Sequence, residues 1–72
     1  MKRYEYTDDT DRQMLTSTTL SAALSEATAI LVEAVIGNAD HLAPGTYHAE
    51  VIEWDDDEAS EVDHVISVTL PA

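Results

Sequence analysis

Residues 17–36 read STTLSAALSEATAILVEAVI, and the spacing of their apolar positions decides the fold. Leu20, Leu24, Ala27, Leu31 and Ala34 recur at intervals of four and three, with Ala23, Ile30 and Val35 widening the stripe. That is the recurrence of an amphipathic helix, which turns one apolar face to a core. Ser17, Thr18 and Thr19 supply hydroxyls that accept from the free backbone N–H groups of a first turn. Gly37-Asn38 supplies a stop, because both residues tolerate a left-handed backbone. Glu26 and Glu33 lie on a polar side, while Ala29, Val32 and Ile36 form a second apolar strip. A loop or a second copy of the chain would cover that strip.

Strands flank this helix. Residues 2–7, Lys-Arg-Tyr-Glu-Tyr-Thr, alternate, with Tyr4 and Tyr6 on one face and Arg3, Glu5 and Thr7 on the other. Residues 8–16 read as a connection with room for a turn of helix or an extra strand. Residues 38–45 form a loop that ends in the turn signal Pro44-Gly45. Residues 46–54 read as a strand with Tyr47, Ala49 and Val51 on one face. Ile52 and Trp54 break that alternation, so a β-bulge is expected near Val51-Ile52. Residues 55–60 read as an acidic hairpin tip and 61–70 as the last strand. Val62, His64, Ile66, Val68 and Leu70 share one face of it, and Pro71 ends it. The expectation is one small α+β domain over 1–72, in the order β-α-β-β. Its helix covers a three-stranded, mainly antiparallel sheet. The first strand, separated from the hairpin by the helix, is expected to cross over and join beside the last strand.

The charges are unevenly placed. The chain has 72 residues, fifteen acids and three bases, for a formal net charge of −12. Lys2, Arg3 and Arg12 all fall in the first twelve positions, and no Lys or Arg follows. Phosphate neutralisation needs those residue types, so direct nucleic-acid binding and anionic membrane binding are excluded as expectations. No run reaches the ~18 apolar residues of a membrane span. The polar start at Met1-Lys2-Arg3 is unlike a signal peptide. With no cysteine there is no disulfide or thiolate site, in keeping with a reducing cytoplasm. Ten alanines and no phenylalanine make a thin core, and chains this small often gain stability by oligomerising. A monomer or homodimer is expected.

Catalytic motifs are wanting. The chain has two glycines, no phosphate loop, and three histidines as the only candidate general bases. His41 reads as a loop residue, His48 as a polar-face strand residue and His64 as half-buried with a local hydrogen bond. The acidic run from Asp55 offers hard oxygen ligands, but it fails the calcium-loop spacing. The third ligand position is Ala59, and the sixth, normally Gly, is Ser60. The expectation is a non-enzymatic protein with no cofactor and no dedicated metal site.

Eight acids lie between Glu50 and Asp63: Glu50, Glu53, Asp55, Asp56, Asp57, Glu58, Glu61 and Asp63. Residues two apart on a strand stand about 6.6 Å apart on one face. That is comparable to the through-space separation of successive backbone phosphates, which exceeds their ~3.4 Å rise per strand. Such a row would fit a Lys/Arg groove built for nucleic acid, with Trp54 beside it as an aromatic anchor. The alternative is a halophilic or accessory acidic domain whose charge serves solubility.

With its helix Ser17 to Ile36, its acidic Glu50–Asp63 segment and its missing bases, the chain resembles the small inhibitors encoded by phages and mobile elements. These include DNA mimics and anti-CRISPR proteins. The resemblance is one of overall character across the whole chain. It implies action in the host bacterial cytoplasm on a basic nucleic-acid channel, that of a type I surveillance complex or its nuclease.

Overall fold

A computed structural model describes residues 2–55 and 62–72. Its elements are β1 (Arg3–Thr7), β2 (Arg12–Met14), α1 (Leu20–Ile36), β3 (Gly45–Trp54) and β4 (Val62–Leu70), with a 3-10 turn at Ala39–His41. The fold is α+β, one helix packed on an antiparallel sheet. The sheet has four strands rather than three, in the order β2-β1-β3-β4. The extra strand falls in the 8–16 connection. Asp8 makes it a hairpin: its Oδ1 accepts from the backbone N–H of Thr10 (2.8 Å) and of Asp11 (2.7 Å), closing a tight side-chain turn. The Asp8 amide in turn donates to the Asp11 carbonyl.

The first strand joins beside β3, not beside the last strand. Arg3 opposes Trp54 and Thr7 opposes Glu50, leaving β4 at the edge. Antiparallel pairing with β3 lets β1 bury Tyr4 and Tyr6 over the middle of the sheet, where the helix covers them. The expected bulge is also absent. Register runs unbroken from Gly45↔Leu70 to Glu53↔Val62, and from Arg3↔Trp54 to Thr7↔Glu50. Ile52 and Trp54 keep strict alternation and point to the sheet face away from the helix. They break the apolar pattern because that second face has an apolar patch of its own.

The main core lies between α1 and the sheet. Tyr4, Tyr6, Ala49, Val51 and Leu70 meet Ala23, Ala27, Leu31 and Val35, and Leu15 closes one end. Each buried Leu or Val removes apolar surface worth about 1.5–3 kcal/mol. The buried helix residues recur every fourth position, so the stripe runs obliquely across the helix, and Ala34, expected in it, is exposed. Alanine at 23, 27 and 49 lets the helix backbone come close to the sheet. The Tyr6 hydroxyl, carried into the interior, donates to Asp8 Oδ2. Burial first, then the adjacent carboxylate, push the Tyr6 phenol far above its ordinary pKa, so it stays a donor.

The helix begins at Leu20, not Ser17. Thr19 is the cap, its Oγ1 accepting from the Ala22 amide at 3.3 Å. The stop differs from the expected left-handed form: Gly37 keeps a right-handed backbone (φ −64°). Asn38 Nδ2 instead donates to the Ala34 carbonyl at 2.7 Å, satisfying a free C=O of the last turn. The glycine that needs its freedom is Gly45, whose φ of 150° starts β3 just after Pro44. The Tyr47 hydroxyl, bonded to the Ala43 carbonyl, ties this loop down.

Candidate functional site

Alternation divides the proposed binding residues between the two sheet faces. Glu50 and Asp63 share the face away from the helix. Glu50 opposes Val65 and Asp63 opposes Ile52, so the two acids stand on a diagonal, ~7–8 Å apart at Cα. Glu53 points to the helix side. There it takes the Lys2 ammonium at 3.2 Å, and that hydrogen bond raises the Lys2 pKa. Asp55 is exposed just beyond β3. Asp56, Asp57, Glu58 and Glu61 lie outside the described residues. Among the described residues the open face therefore intersperses Glu50 and Asp63 with Ile52, Trp54, Val65 and the exposed Arg3, and it carries no unbroken carboxylate row.

Trp54 shares this face. Its indole Nε1 donates to Glu5 Oε1 at 3.3 Å. Glu5 is a buried carboxylate, 9% exposed, and Arg12 reaches it from β2 with Nε to Oε2 at 2.6 Å and Nη2 to Oε1 at 3.1 Å. The forked guanidinium matches the planar carboxylate. Arg12's hydrogen bond is the main influence on Glu5 and lowers its pKa, against the upward push of burial. Ile52, buried beside Glu5 in the ladder, completes a small second core. Trp54 is thereby tied into the sheet and is half-buried.

Other acids serve the fold. Burial alone would raise the Asp8 carboxyl, but the Tyr6 hydroxyl and the Thr10 and Asp11 amides outweigh it and hold the pKa down. Glu26 on α1 accepts from the Ser17 hydroxyl (2.7 Å) and from the Thr16 and Ser17 amides (3.1 Å each), which together lower its pKa and clamp the β2–α1 connection to the helix.

At the opposite end of the hairpin from Asp55, an open cleft of about 440 Å³ lies between the β1–β2 turn and β3–β4. Asp8, Asp9, His48, Glu50 and Val65 are among its walls. The sequence pattern alone places Asp8 and Asp9 only in a connection between elements. The signal that would have found them is the Asp-Asp-Thr-Asp turn chemistry, which returns the chain beside Thr7 and so beside its partner Glu50. His48 is exposed there, while His64 is half-buried and its Nε2 finds no partner among the described residues, instead of the expected local hydrogen bond. Among the described residues no group of three or more His, Cys, Asp or Glu is placed to hold a metal ion. Among the same residues no helix is long and apolar enough to cross a membrane.

The class defined by these features is a small α+β fold with one helix-covered and one open sheet face, the open face bearing exposed acids. Compared with known protein families, curated proteins and solved structures, the chain matches none.

Proposed function

We propose that this chain is a non-enzymatic inhibitor whose exposed carboxylates stand in for backbone phosphates on a basic, nucleic-acid-binding surface of a partner protein. The partner class is that of type I CRISPR surveillance complexes or their nucleases, and the setting is the bacterial cytoplasm. The observation that carries the reading is how the charge is partitioned. Two of the three bases are used inside the fold, Lys2 on Glu53 and Arg12 on Glu5. Asp9, Glu50 and Asp63 remain exposed around the open sheet face. A chain of net charge −12 with two of its three cations paired to its own carboxylates, and Arg3 exposed across from Trp54, projects a field that is predominantly negative and steers encounters with a basic surface.

The diagonal Glu50–Asp63 spacing suits two neighbouring cationic side chains, and the half-buried Trp54 beside them is an aromatic of the kind on which an Arg guanidinium stacks. The test is displacement. A basic DNA-binding complex loaded with fluorescent duplex DNA is titrated with the chain, and release is followed by anisotropy. Release is expected at low salt and should weaken steadily from about 50 to about 200 mM salt, as contacts to phosphate-like groups do. D55N/D56N/D57N and E50Q/D63N should each slow association while leaving the circular dichroism spectrum unchanged. Binding that ignores both salt and these substitutions would sink the mimicry. A chain that binds no basic surface and folds only at high salt would assign the charge to solubility.

A further inference from the structure

The first strand is shorter than the strand it pairs with, and the difference leaves a notch in the sheet. β3 runs from Gly45 to Trp54, but β1 pairs only with Glu50 to Trp54 before the chain turns away at Asp8. Among the described residues no strand lies beside Gly45–Ala49 on that side, while β4 pairs along the other.

The hydrogen bonds of β1 decide which backbone groups are left open. The Leu15 amide donates to the Tyr4 carbonyl and the Asp8 amide to the Asp11 carbonyl, so Tyr4, Tyr6 and Asp8 direct their backbone groups toward β2. In an antiparallel ladder these directions alternate, so Arg3, Glu5 and Thr7 bond to Trp54, Ile52 and Glu50 of β3. By the same alternation His48 and Thr46 turn their N–H and C=O groups into the notch, while Tyr47 and Ala49 direct theirs to β4. Among the described residues no backbone bond satisfies the His48 and Thr46 groups. Unpaired strand groups of this kind are a template for an extended segment.

The two faces of the notch differ in chemistry. On the helix side, a cleft of about 340 Å³ has Leu31, Ala34, Val35, Leu42 and Tyr47 as its apolar walls, with the β1–β2 turn at its rim. On the open side, the cleft of about 440 Å³ carries Asp9 and Glu50, both exposed. No Lys or Arg lines either cleft, and Arg12 at the start of β2 is bonded to Glu5.

We propose that the notch binds an extended segment of a partner protein as an added strand, with a Lys or Arg opposite His48 and an apolar residue next, opposite Tyr47. The segment runs antiparallel to β3, as β1 does, and takes up the line that β1 leaves. Its cationic residue shares the open face with His48. It stands diagonal to Glu50, ~7–8 Å away at Cα, within reach of a long side chain. The following residue falls on the other face, and its side chain enters the apolar cleft beneath α1. Charge and backbone together select this occupant. A nucleic acid is repelled by the two acids and offers no alternating row of N–H and C=O groups. A second copy of net charge −12 is repelled as well, with its Lys2 and Arg12 engaged on Glu53 and Glu5. The inference does not rest on the phosphate mimicry, which uses Asp63 and needs no strand pairing.

The test is an NMR titration of the isotope-labelled chain with the peptide acetyl-Gly-Lys-Val-Thr-Gly-amide. Saturation with a dissociation constant at or below about 1 mM is expected. Exchange of the Thr46 and His48 amides should slow, while that of the Tyr47 and Ala49 amides, already bonded to β4, should not change. Methylating the backbone nitrogen of the peptide's Lys should weaken binding about tenfold or more, and methylating that of its Val, which points away from β3, should not. Reversing the pair to Val-Lys drives the ammonium into the apolar cleft and should weaken binding as much. D9N/E50Q should weaken it about threefold or more, least at high salt. A34F should fill the cleft and weaken it too, whereas D63N should leave it unchanged. No saturation, slowed exchange that spares Thr46 and His48, or equal binding of the methylated and reversed peptides would overturn the proposal. Displacement of DNA from a basic complex without peptide binding would overturn the notch alone, and peptide binding without displacement would overturn the mimicry alone.

Discussion

Replacing Arg12 by Met isolates one carboxylate. Met keeps an aliphatic stem of similar reach and removes the fork that holds Glu5. The carboxylate, only 12% exposed in the wild-type chain, then retains the Trp54 indole at 3.3 Å and loses its bonds at 2.6 and 3.1 Å. Hydrogen bonds to a charged group are worth about 1.5–3 kcal/mol, and an exposed ion pair about 0.2–1. Arg12 is 61% exposed, so water already screens its side of the pair, and the loss belongs between those limits. A destabilisation of about 1–2 kcal/mol is expected, or a Tm lower by about 5–15 °C for a domain of this size. The single tryptophan, bonded to Glu5 itself, is the natural probe of urea unfolding.

The pH dependence gives this prediction its sign. Arg12 holds the Glu5 pKa below its ordinary value of 4.5, so the folded chain binds fewer protons there than the unfolded chain. The pair's contribution is full above pH 4.5 and is lost as pH falls through the depressed folded value. In R12M burial acts with less opposition and the Glu5 pKa rises above ordinary. That site then gains stability as pH falls. The gap between wild type and R12M should therefore be widest near neutrality and close below pH 4.5. An unchanged urea midpoint, or a gap that widens in acid, would refute the reasoning. So would a double-mutant cycle with E5Q showing no coupling beyond ~0.3–0.5 kcal/mol.

Three further substitutions probe other joints. E26Q should loosen the clamp on the β2–α1 connection and cost about 1 kcal/mol, seen as faster amide exchange at Thr16 and Ser17 with little change in β3. T19A removes the helix cap and should cost about 0.5–2 kcal/mol, with fraying confined to the first turn of α1 by NMR. A27L forces a large side chain into the close contact between helix and sheet and should cost about 1–3 kcal/mol, whereas A29L, on the exposed side, should be nearly neutral in the same urea titration.

The helix was legible because its signal is local and periodic: one apolar stripe, hydroxyls before it and Gly37 after it. The pairing of β1 was not, since Tyr4-Glu5-Tyr6 carries no label for its neighbour. Only the burial of both tyrosines under α1 selects β3 over β4. Glu5 misled in another way. On a strand that alternates, an acid reads as solvent-facing, yet it is buried because Arg12 arrives from a strand that exists only through the Asp8 turn. Ile52 and Trp54 carry a true apolar signal that local alternation alone cannot tell from a bulge. Their apolar character belonged to the open face, where that same Glu5 needs a lid. For the candidate site, the clustering of acids from Glu50 to Asp63 could be read directly. Their division between two faces followed from register, which a charge count does not contain.

The acids of this chain fall into two classes with different physical tasks. Glu5, Asp8, Glu26 and Glu53 are each held by donors of the chain itself, and they stand where a neutral residue would leave a turn, a connection or a pair unsatisfied. Asp9, Glu50 and Asp63 are exposed and anchor nothing in the hydrogen bonds that build the fold. Self-repulsion makes the second class unfavourable to the folded state, and the first class opposes that repulsion by binding donors. Neutralising the two classes must therefore act in opposite directions. E50Q/D63N should leave stability unchanged or raise it, and the gain should fade with added salt. E26Q should lower stability at every salt concentration, because its donors are neutral hydroxyls and amides that ions do not screen. If both sets responded alike, the acids would be one undifferentiated solvating coat, and the open face would lose its claim to be a directed surface.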